Sequence, residues 1–504
     1  MRGVHSVVDD LRRSVFMEVA KMAYEGDVSQ IDRIPYKIIP GEVARYRDSV
    51  FRERAIVSER LRLACGLPMR SAAEYGPPSL GIEEANITEK YYEPPLINVL
   101  PFACNACPEK EMRVSSNCQG CLSHPCQAVC PKKAISTDKY GHSVIDNTLC
   151  IKCGKCVDQC PYDAISKIER PCAKACGMDA IGSDEYGRAK IDYDKCVSCG
   201  MCLVNCPFGA IADKSQIFQL VNAIRSGEKV IAIVAPAFIG QFQGATIGKF
   251  RKAMRLLGFA DTREVAIGAD LCTIEEAEDF LKKVPAEQPF MGTSCCPSWS
   301  VMAKKMFPTL APYISMALTP MVLTARLMKR DNPDAKIVFV GPCAAKKLEA
   351  SRRTVRSDVD FVLTFEELNG MFAAKEIDFS TLEPDECDQE YREGTADGRG
   401  FAVVGGVAAA VKAQIAHLDP DREVPTECGN GLKECRTMLL LAKAGKRNGY
   451  LLEGMACPGG CVAGAGTIMP VPQSIKNVQK YSAEAEKKSA RESDYCGRLE
   501  EAEQ

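Results

Sequence analysis

The stretch Glu453-Gly454-Met455-Ala456-Cys457-Pro458-Gly459-Gly460-Cys461 places two cysteines and a glycine pair directly after a short apolar run typical of a strand. Another apolar run, at residues 336–340, leads in the same way into Gly341-Pro342-Cys343-Ala344-Ala345-Lys346-Lys347. A third cysteine segment is Thr293-Ser294-Cys295-Cys296-Pro297-Ser298-Trp299. In open α/β sheets, ligands bind beyond the carboxyl ends of strands. We therefore expect an α/β fold in which three loops meet and hold a 4Fe–4S cube through four thiolates: Cys296, Cys343, Cys457 and Cys461.

The sequence around these loops alternates between short apolar runs and amphipathic stretches. Apolar runs predict strands at residues 230–234, 336–340, 401–404 and 450–452, and the spacing of apolar residues predicts helices at 274–284 and 365–374. We therefore assign residues 216–504 to one catalytic domain of mixed helices and sheets. After Pro472 this domain is expected to end in a charged helix or loose tail.

Residues 101–215 contain most of the cysteines and repeat themselves. The segment Asp138-Lys139-Tyr140-Gly141 and its continuation to Cys150 match Asp184-Glu185-Tyr186-Gly187 and its continuation to Cys196, 46 residues later. Such self-similarity predicts two tandem units, here ferredoxin-like α+β units. Residues 1–100, with one cysteine, are expected to form a helical N-terminal extension.

Cysteine spacing in the repeats is typical of bacterial ferredoxins. In such runs three close cysteines bind one cube and the fourth binds the neighbouring cube. Pairing the runs predicts three cubes from Cys118, Cys121, Cys126 and Cys160, from Cys130, Cys150, Cys153 and Cys156, and from Cys176, Cys196, Cys199 and Cys202. Counting the remainder gives a fourth set: Cys104, Cys107, Cys172 and Cys206. The alternative for Cys104 and Cys107 is that they are buried or spare thiols, so three or four accessory clusters are expected.

The overall composition fits a metal protein of the cytoplasm. The 504 residues include 27 cysteines and have a net charge of -2. Cysteines in C-x2-C spacing in a long chain indicate metal binding rather than disulfides, and iron–sulfur ligation favours a reducing compartment. We expect no nucleic-acid partner and no membrane partner. The single cysteines are expected to be structural: Cys65, Cys272, Cys387 and Cys496.

Taken together, the three loops and the cysteine runs resemble the iron-only, or FeFe, hydrogenases over roughly residues 105–470. The resemblance implies reversible oxidation of dihydrogen at an H-cluster, which is a 4Fe–4S cube bridged to a two-iron unit carrying CO, cyanide and azadithiolate. It implies that Cys296, Cys343 and Cys457 bind the cube and that Cys461 bridges to the two-iron unit. Implied partners are dihydrogen, protons, a soluble ferredoxin or similar electron carrier, and hydrogenase maturation proteins.

The same resemblance implies roles for six further residues. Cys295 relays protons, Lys346 hydrogen-bonds a cyanide, and Met455 packs near the two-iron unit. A proton route to Cys295 passes through Asp279, Ser315 and Glu276. Glu276 and Asp279 stand at i and i+3 on one helix face, an arrangement that is also common on exposed acidic helices.

Some positions depart from the family pattern. Gly341 stands where the family has methionine, Ala237 where it has serine, and Met321 where it has glutamine. Loss of polar contacts near a cluster predicts an altered potential and inhibitor sensitivity. Two other functions stay open: a hydrogen or redox sensor with slow turnover, and a non-catalytic iron–sulfur assembly or electron-transfer protein.

Overall fold

The N-terminal extension is helical, and its first helix packs against helices of residues 216–503. In the computed structural model, which describes residues 5–71, 73, 76–355, 358–384 and 394–503, its helices are α1 (Val7–Glu25), α2 (Ile34–Ile38), α3 (Val50–Ala64) and α4 (Ile82–Ala85). Ser6 and Asp9 form a capping box that starts α1. Arg12 on α1 pairs with Glu366 at 2.5 Å. Cys387, expected to be a structural cysteine, lies outside the described residues.

Short antiparallel ribbons and single helical turns make up the cysteine-rich repeats. The elements are β1 (Ile97–Val99), β2 (Lys110–Val114), α5 (Pro125–Ala128), β3 (Ile135–Thr137), β4 (Ser143–Ile145), α6 (Lys155–Asp158), β5 (Ile165–Glu169), α7 (Pro171–Lys174), β6 (Ile181–Ser183), β7 (Ala189–Ile191), α8 (Met201–Asn205) and β8 (Ile211–Asp213). The ribbons β3–β4 and β6–β7 are repeat equivalents, while β2 pairs with β5 and β1 with β8.

An alanine–isoleucine pair occurs four times in the repeats, and the structure gives its physical reason. In each pair the isoleucine begins a strand: β3, β5, β6 or β8. The preceding alanine is at most 2% exposed, and its backbone N–H donates to the Sγ of the cysteine four residues earlier at 3.3–3.4 Å. The alanine side chain is buried in each copy, so a close-packed surrounding favours a small residue at this position.

Two parallel sheets organise the remainder of the chain. The elements are α9 (Ile217–Arg225), β9 (Val230–Val234), α10 (Ile247–Leu256), β10 (Asp261–Glu264), α11 (Ala266–Lys283), β11 (Met291–Gly292), α12 (Pro297–Met306), α13 (Pro320–Asp331), β12 (Lys336–Gly341), α14 (Ala345–Glu349), β13 (Phe361–Thr364), α15 (Phe365–Ala374), α16 (Ala396–Gly400), α17 (Gly406–Leu418), β14 (Thr426–Asn430), α18 (Leu432–Lys443), β15 (Leu451–Met455), α19 (Val471–Ala483) and α20 (Leu499–Glu503). One sheet has the order β10-β9-β12-β13 and the other β11-β15-β14. The fold is therefore mixed α/β, as expected.

One expectation about this region needs correction. The strand expected at residues 401–404 is wrong, because this segment turns between α16 and α17 without strand pairing, with Phe401 and Ala402 buried and Val403 and Val404 half-buried. The charged end is helical, which is one of the two forms expected for it, and Arg326 on α13 donates to the Glu503 carbonyl at 2.7 Å. Among the residues that the structure describes, no helix is long and apolar enough to cross a membrane.

Candidate catalytic and iron–sulfur sites

The three cysteine loops meet at one cavity. Each loop leaves the carboxyl end of a parallel strand, namely β11, β12 or β15. The cavity has a volume of about 90 Å³, and six thiols line it: Cys199 and the five loop cysteines Cys295, Cys296, Cys343, Cys457 and Cys461. Loop cysteines separated by up to 166 positions in the sequence are thus neighbours at the edge of the two sheets.

The walls of this cavity are almost entirely apolar. They include Ala237, Met321, Phe339 and Met455, and Lys346 is the only charged side chain among the described lining residues. Close packing fixes the loops, since a Cβ on Gly454 would overlap the ring of Trp299. The Trp299 indole N–H in turn donates to the Thr293 carbonyl at 3.1 Å.

Lys346 is held in position by two residues that lie outside the three loop motifs. Its Nζ lies 2.6 Å from Glu349 Oε2 and donates to Thr319 Oγ1 at 3.1 Å. Thr319 donates to the other Glu349 oxygen at 2.8 Å. Burial disfavours the charged amine, but the Glu349 carboxylate outweighs it and raises the pKa of Lys346. Lys346 therefore brings a fixed positive charge to the cavity.

The thiol set has the chemistry that iron–sulfur clusters require. Burial raises the pKa of Cys343 to about 11 and of Cys461 to about 12, so these thiols keep their protons near neutral pH. They lose them only when bound iron supplies a compensating positive charge. Backbone amides of Ala456 and Trp299 lower the pKa of Cys296 against the larger effect of burial. Among the described residues, no three His, Cys, Asp or Glu side chains converge on a single metal ion. These cysteines fit a cluster, whose ligands are thiolates.

Part of the expected proton route is also assembled. Glu276 on α11 is fully buried, and its Oε1 accepts a hydrogen bond from the Ser294 amide at 2.7 Å. The Ser315 side chain lies close enough to this carboxyl group to lower its pKa, although Glu276 Oε2 is buried without a hydrogen-bond partner in the described part of the chain. Burial raises the pKa of Glu276 to about 7, and burial and then Glu276 raise that of Cys295 well above its usual range. Asp279 pairs with Lys283 at 2.6 Å nearer the surface.

Sequence reasoning missed two neighbours of this route. Burial raises the pKa of Glu275 to about 7, and one of its carboxylate oxygens is buried without a hydrogen-bond partner. The second neighbour is Ser294, whose backbone amide donates to Glu276. Neither residue had a clear signal in the sequence, because acidic residues are common on exposed helix faces.

Accessory cysteines surround two further small cavities of about 20 Å³ each. One is lined by Cys176, Cys196, Cys199 and Cys202, and the other by Cys104, Cys107, Cys172 and Cys206. In the first repeat, the thiols of Cys130, Cys150 and Cys153 all act on the pKa of Cys156. Cys118 and Cys126 both contact Ser143, at 3.4 Å from its amide and 3.2 Å from its hydroxyl.

Cys104 and Cys107 stand in for two cysteines that the second repeat lacks. The Ala189 amide donates to Cys104 Sγ at 3.4 Å, as the Ser143 amide donates to Cys118 Sγ. Ser143 and Ala189 are 46 residues apart, so they are repeat equivalents. A segment upstream of the first repeat thus completes a site in the second.

The accessory sites reach the catalytic cavity through one residue. Cys199 lines both that cavity and the neighbouring accessory one. Gly200 approaches Ala465 so closely that a Cβ on the glycine would overlap it. Ser298 donates to the Val197 carbonyl at 3.1 Å and closes the same contact.

Comparisons with known proteins agree with this arrangement. Residues 228–465 match the family model "Iron only hydrogenase large subunit, C-terminal domain". Residues 149–210 match "4Fe-4S dicluster domain", and residues 114–170 match "LdpA Fe-S cluster-binding domain".

Individual relatives include catalytic and assembly proteins. Iron hydrogenase 1 of Clostridium pasteurianum is 30% identical over 439 residues, which cover 76% of this chain and 75% of the relative. A probable cytosolic Fe-S cluster assembly factor of Aedes aegypti is 26% identical, over 47% of this chain and 59% of its own length. The solved structure of apo [FeFe]-hydrogenase HydA1 from Chlamydomonas reinhardtii superposes with a TM-score of 0.45 at 23% identity, over 54% of this chain and 89% of its own.

Proposed function

Because this chain belongs to the iron-only hydrogenase family, we propose that it interconverts dihydrogen with protons and electrons at an H-cluster. The observation that carries the proposal is the cavity at which Cys295 and Lys346 meet the four loop thiols. Cys296, Cys343 and Cys457 would hold the cube, and Cys461 would bridge it to the two-iron unit. When bound, this group supplies the redox-active iron at which protons are reduced and dihydrogen is oxidised.

Protons reach the cavity through side chains with complementary acidities. The Cys295 thiol stays protonated because burial and the nearby Glu276 raise its pKa, so it can deliver a proton into the cavity. Glu276, with a pKa of about 7, can both give and take a proton near neutral pH. Ser315 connects this carboxyl group toward Asp279 at the surface. Lys346 orients toward a cyanide ligand through its contacts to Thr319 and Glu349.

Electrons enter through the accessory cubes. Cys199 lines both adjoining cavities, which favours the cube of Cys176, Cys196, Cys199 and Cys202 as the last donor. Four cubes in all account for the sixteen cysteines of the repeats. A soluble ferredoxin or similar one-electron carrier is the proposed external partner, and hydrogenase maturation proteins would deliver the two-iron unit.

One preparation tests the proposal with two measurements. Protein produced together with maturation proteins should show infrared bands of metal-bound CO and cyanide, and it should evolve hydrogen from a reduced dye. Protein made without maturation proteins is the control and should lack the bands. Absence of both bands and activity in the maturated protein would refute the hydrogenase assignment.

The second candidate function is iron–sulfur cluster assembly, which the 26% identical relatives favour. A scaffold for assembly has no need of a buried proton route, whereas in this chain Cys295 and Ser315 both lie near the buried carboxyl group of Glu276. An assembly protein would show neither infrared bands nor activity. A hydrogen sensor would show the bands with very slow turnover.

A further inference from the structure

Arg170 is a buried cation beside one of the accessory cavities. It is 2% exposed and lines the cavity of Cys104, Cys107, Cys172 and Cys206, where it is the only charged side chain among the described lining residues. Its guanidinium donates to the Cys107 carbonyl at 2.7 Å. The charge therefore lies directly behind a predicted cluster ligand.

No carboxylate neutralises this charge in the described part of the chain. The other acceptors of the guanidinium are neutral oxygens, at 2.7–3.2 Å: Gly182 O, Ser183 Oγ and Gly187 O. Arg170 Nε is buried without a partner. A guanidinium keeps its proton at all relevant pH values, so the positive charge is permanent.

The neighbouring cavity, lined by Cys176, Cys196, Cys199 and Cys202, lacks such a residue among its described lining side chains, which are apolar. Lys305 donates to the Cys196 carbonyl at 2.9 Å, but Lys305 is exposed and water screens its charge. The two adjoining sites thus have the same thiol set and different electrostatics.

Two comparisons, with Arg60 and with His124, show that the buried cation at this cavity has no equivalent among the described residues of the first repeat. Arg60 also acts electrostatically on Cys206, yet it does not line the cavity and lies near the acidic Asp213 and Glu366. In the first repeat the position equivalent to Arg170 is His124, since both precede a Pro-Cys pair 46 residues apart. The permanent cation is therefore specific to the second repeat.

We propose that the fixed charge of Arg170 raises the reduction potential of the cube held by Cys104, Cys107, Cys172 and Cys206. That potential then lies above the potential of the cube next to the catalytic cavity. Reduction adds one electron to a cube, and a nearby cation in a medium of low dielectric constant stabilises that added charge. The electron comes from the reduced one-electron carrier, which is oxidised by one electron. This inference rests on the four-cube assignment of the proposed function.

The test is a redox titration followed by electron paramagnetic resonance on the iron-loaded protein. Arg170→Gln should lower the midpoint potential of one cube and leave its iron content and the other cubes unchanged. Arg170→Lys, which keeps the charge, should retain most of the native potential. Lys305→Gln is the matched control, because it removes an exposed cation from the same kind of carbonyl contact, and it should leave all potentials unchanged.

Full iron content with unchanged potentials in Arg170→Gln would overturn the proposal. If Arg170→Gln loses one cube, the proposal is tested instead by comparing the potentials of the two neighbouring cubes in the native protein. Cys172→Ser and Cys176→Ser identify the signals of the two neighbouring cubes, and the proposal fails if the cube of Cys172 titrates at the lower potential. An iron count that lacks this cube in the native protein would overturn the inference and leave the H-cluster proposal standing.

Discussion

At the scale of single residues, Cys295 differs from the other cavity thiols in its neighbours. Glu276 is the largest electrostatic influence on Cys295, whereas Cys343 is the largest on Cys457 and Cys461. Cys295 is thus coupled to a carboxyl group, Cys457 and Cys461 to another thiol, and Cys296 to the Lys346 amine. This contrast is why we expect the adjacent Cys295 and Cys296 to do different work.

Removing the thiol of Cys295 should stop proton delivery. We expect Cys295→Ala to lower hydrogen evolution by about 100-fold or more, because proton transfer by a positioned group contributes on that order. Iron content and infrared bands should be retained. Cys272→Ala is the control, since Cys272 is also buried near Glu276 but does not line the cavity. Equal activity of the two variants would contradict the route.

The buried carboxyl group of Glu276 should also make the free energy of unfolding depend on pH. Its pKa rises from 4.5 to about 7 on folding, so ionisation is easier in the unfolded chain and the folded state loses stability as pH rises through this window. At pH 8 the penalty is complete, and Glu276→Gln should raise the free energy of unfolding by about 3 kcal/mol. At pH 4 the variant and the native protein should be alike.

Urea unfolding followed by the fluorescence of Trp299, the only tryptophan in the chain, measures this difference. A gain that stays constant from pH 5 to pH 8 would contradict the raised pKa.

The residue types of the sites were predictable, but their supporting contacts were not. Cysteine spacing and three loop motifs were enough to identify the ligand candidates. Thr319 could not be foreseen as a partner of Lys346, because the two residues become neighbours only in the folded chain. Glu349 stands at i+3 from Lys346 on α14, a local signal for an ion pair that the motif analysis did not use. The role of Arg170 could not be predicted from the sequence either, because its four hydrogen-bond acceptors become its neighbours only in the folded repeats.

At the scale of elements, buried parallel strands were well predicted and one apolar run was not. Residues 230–234 and 336–340 are strands because β-branched residues occupy a sheet buried on both faces. The run at 401–404 is equally apolar, but it is buried against Gly460, which has no side chain to keep it away. Periodicity cannot separate these two kinds of burial.

Strand β12 shows how one departure from the family pattern is compensated. A Cβ on Gly341 would overlap the ring of Phe339, which lines the cavity. We expect Gly341→Met to destabilise the protein by about 2 kcal/mol through overpacking. Phe339→Ala is destabilising by itself but makes room for the methionine, so the double variant should lose less stability than the sum of the two single losses, as urea unfolding of all three variants would measure. Independent, additive effects of the two changes would contradict this contact.

At the scale of the whole molecule, the contact between Gly200 and Ala465 joins the cysteine-rich repeats to the loops of the large cavity, and the proposed electron path crosses there. Gly200→Ala must push Ala465 away, and we expect slower hydrogen evolution from a reduced carrier. Exchange between deuterium gas and water needs no external electrons and should continue. Gly154→Ala is the matched control, since Gly154 is the repeat equivalent with a similar positive φ and no atom within 4 Å of an added Cβ.

Equal rates of carrier-driven evolution in these two glycine variants would show that the contact does not limit electron transfer. Both substitutions carry a similar backbone cost, because each places alanine in the left-handed region. The comparison therefore isolates the overlap with Ala465.

Long-range order along the chain was the hardest feature to predict. The 46-residue repeat indicated two units in sequence, and a count of cysteines left Cys104 and Cys107 for the second. Cys104 and Cys107 lie at the second repeat because β2 pairs with β5. This pairing brings the end of the first repeat next to the segment that precedes it. Pairing between distant short strands has no local sequence signal.

Because β2 and β5 pair side by side, the first repeat begins and ends at neighbouring points and could be deleted without moving the rest of the chain. Lys110 and Glu169 are register partners in β2 and β5, and the Arg170 amide donates to the Glu109 carbonyl at 3.3 Å. Joining Lys110 to Glu169 by a tight turn should therefore remove about eight iron atoms, those of two cubes, while the inner pair of cubes stays loaded. Electron input would then begin midway along the former path, and a shorter enzyme of this kind should still evolve hydrogen.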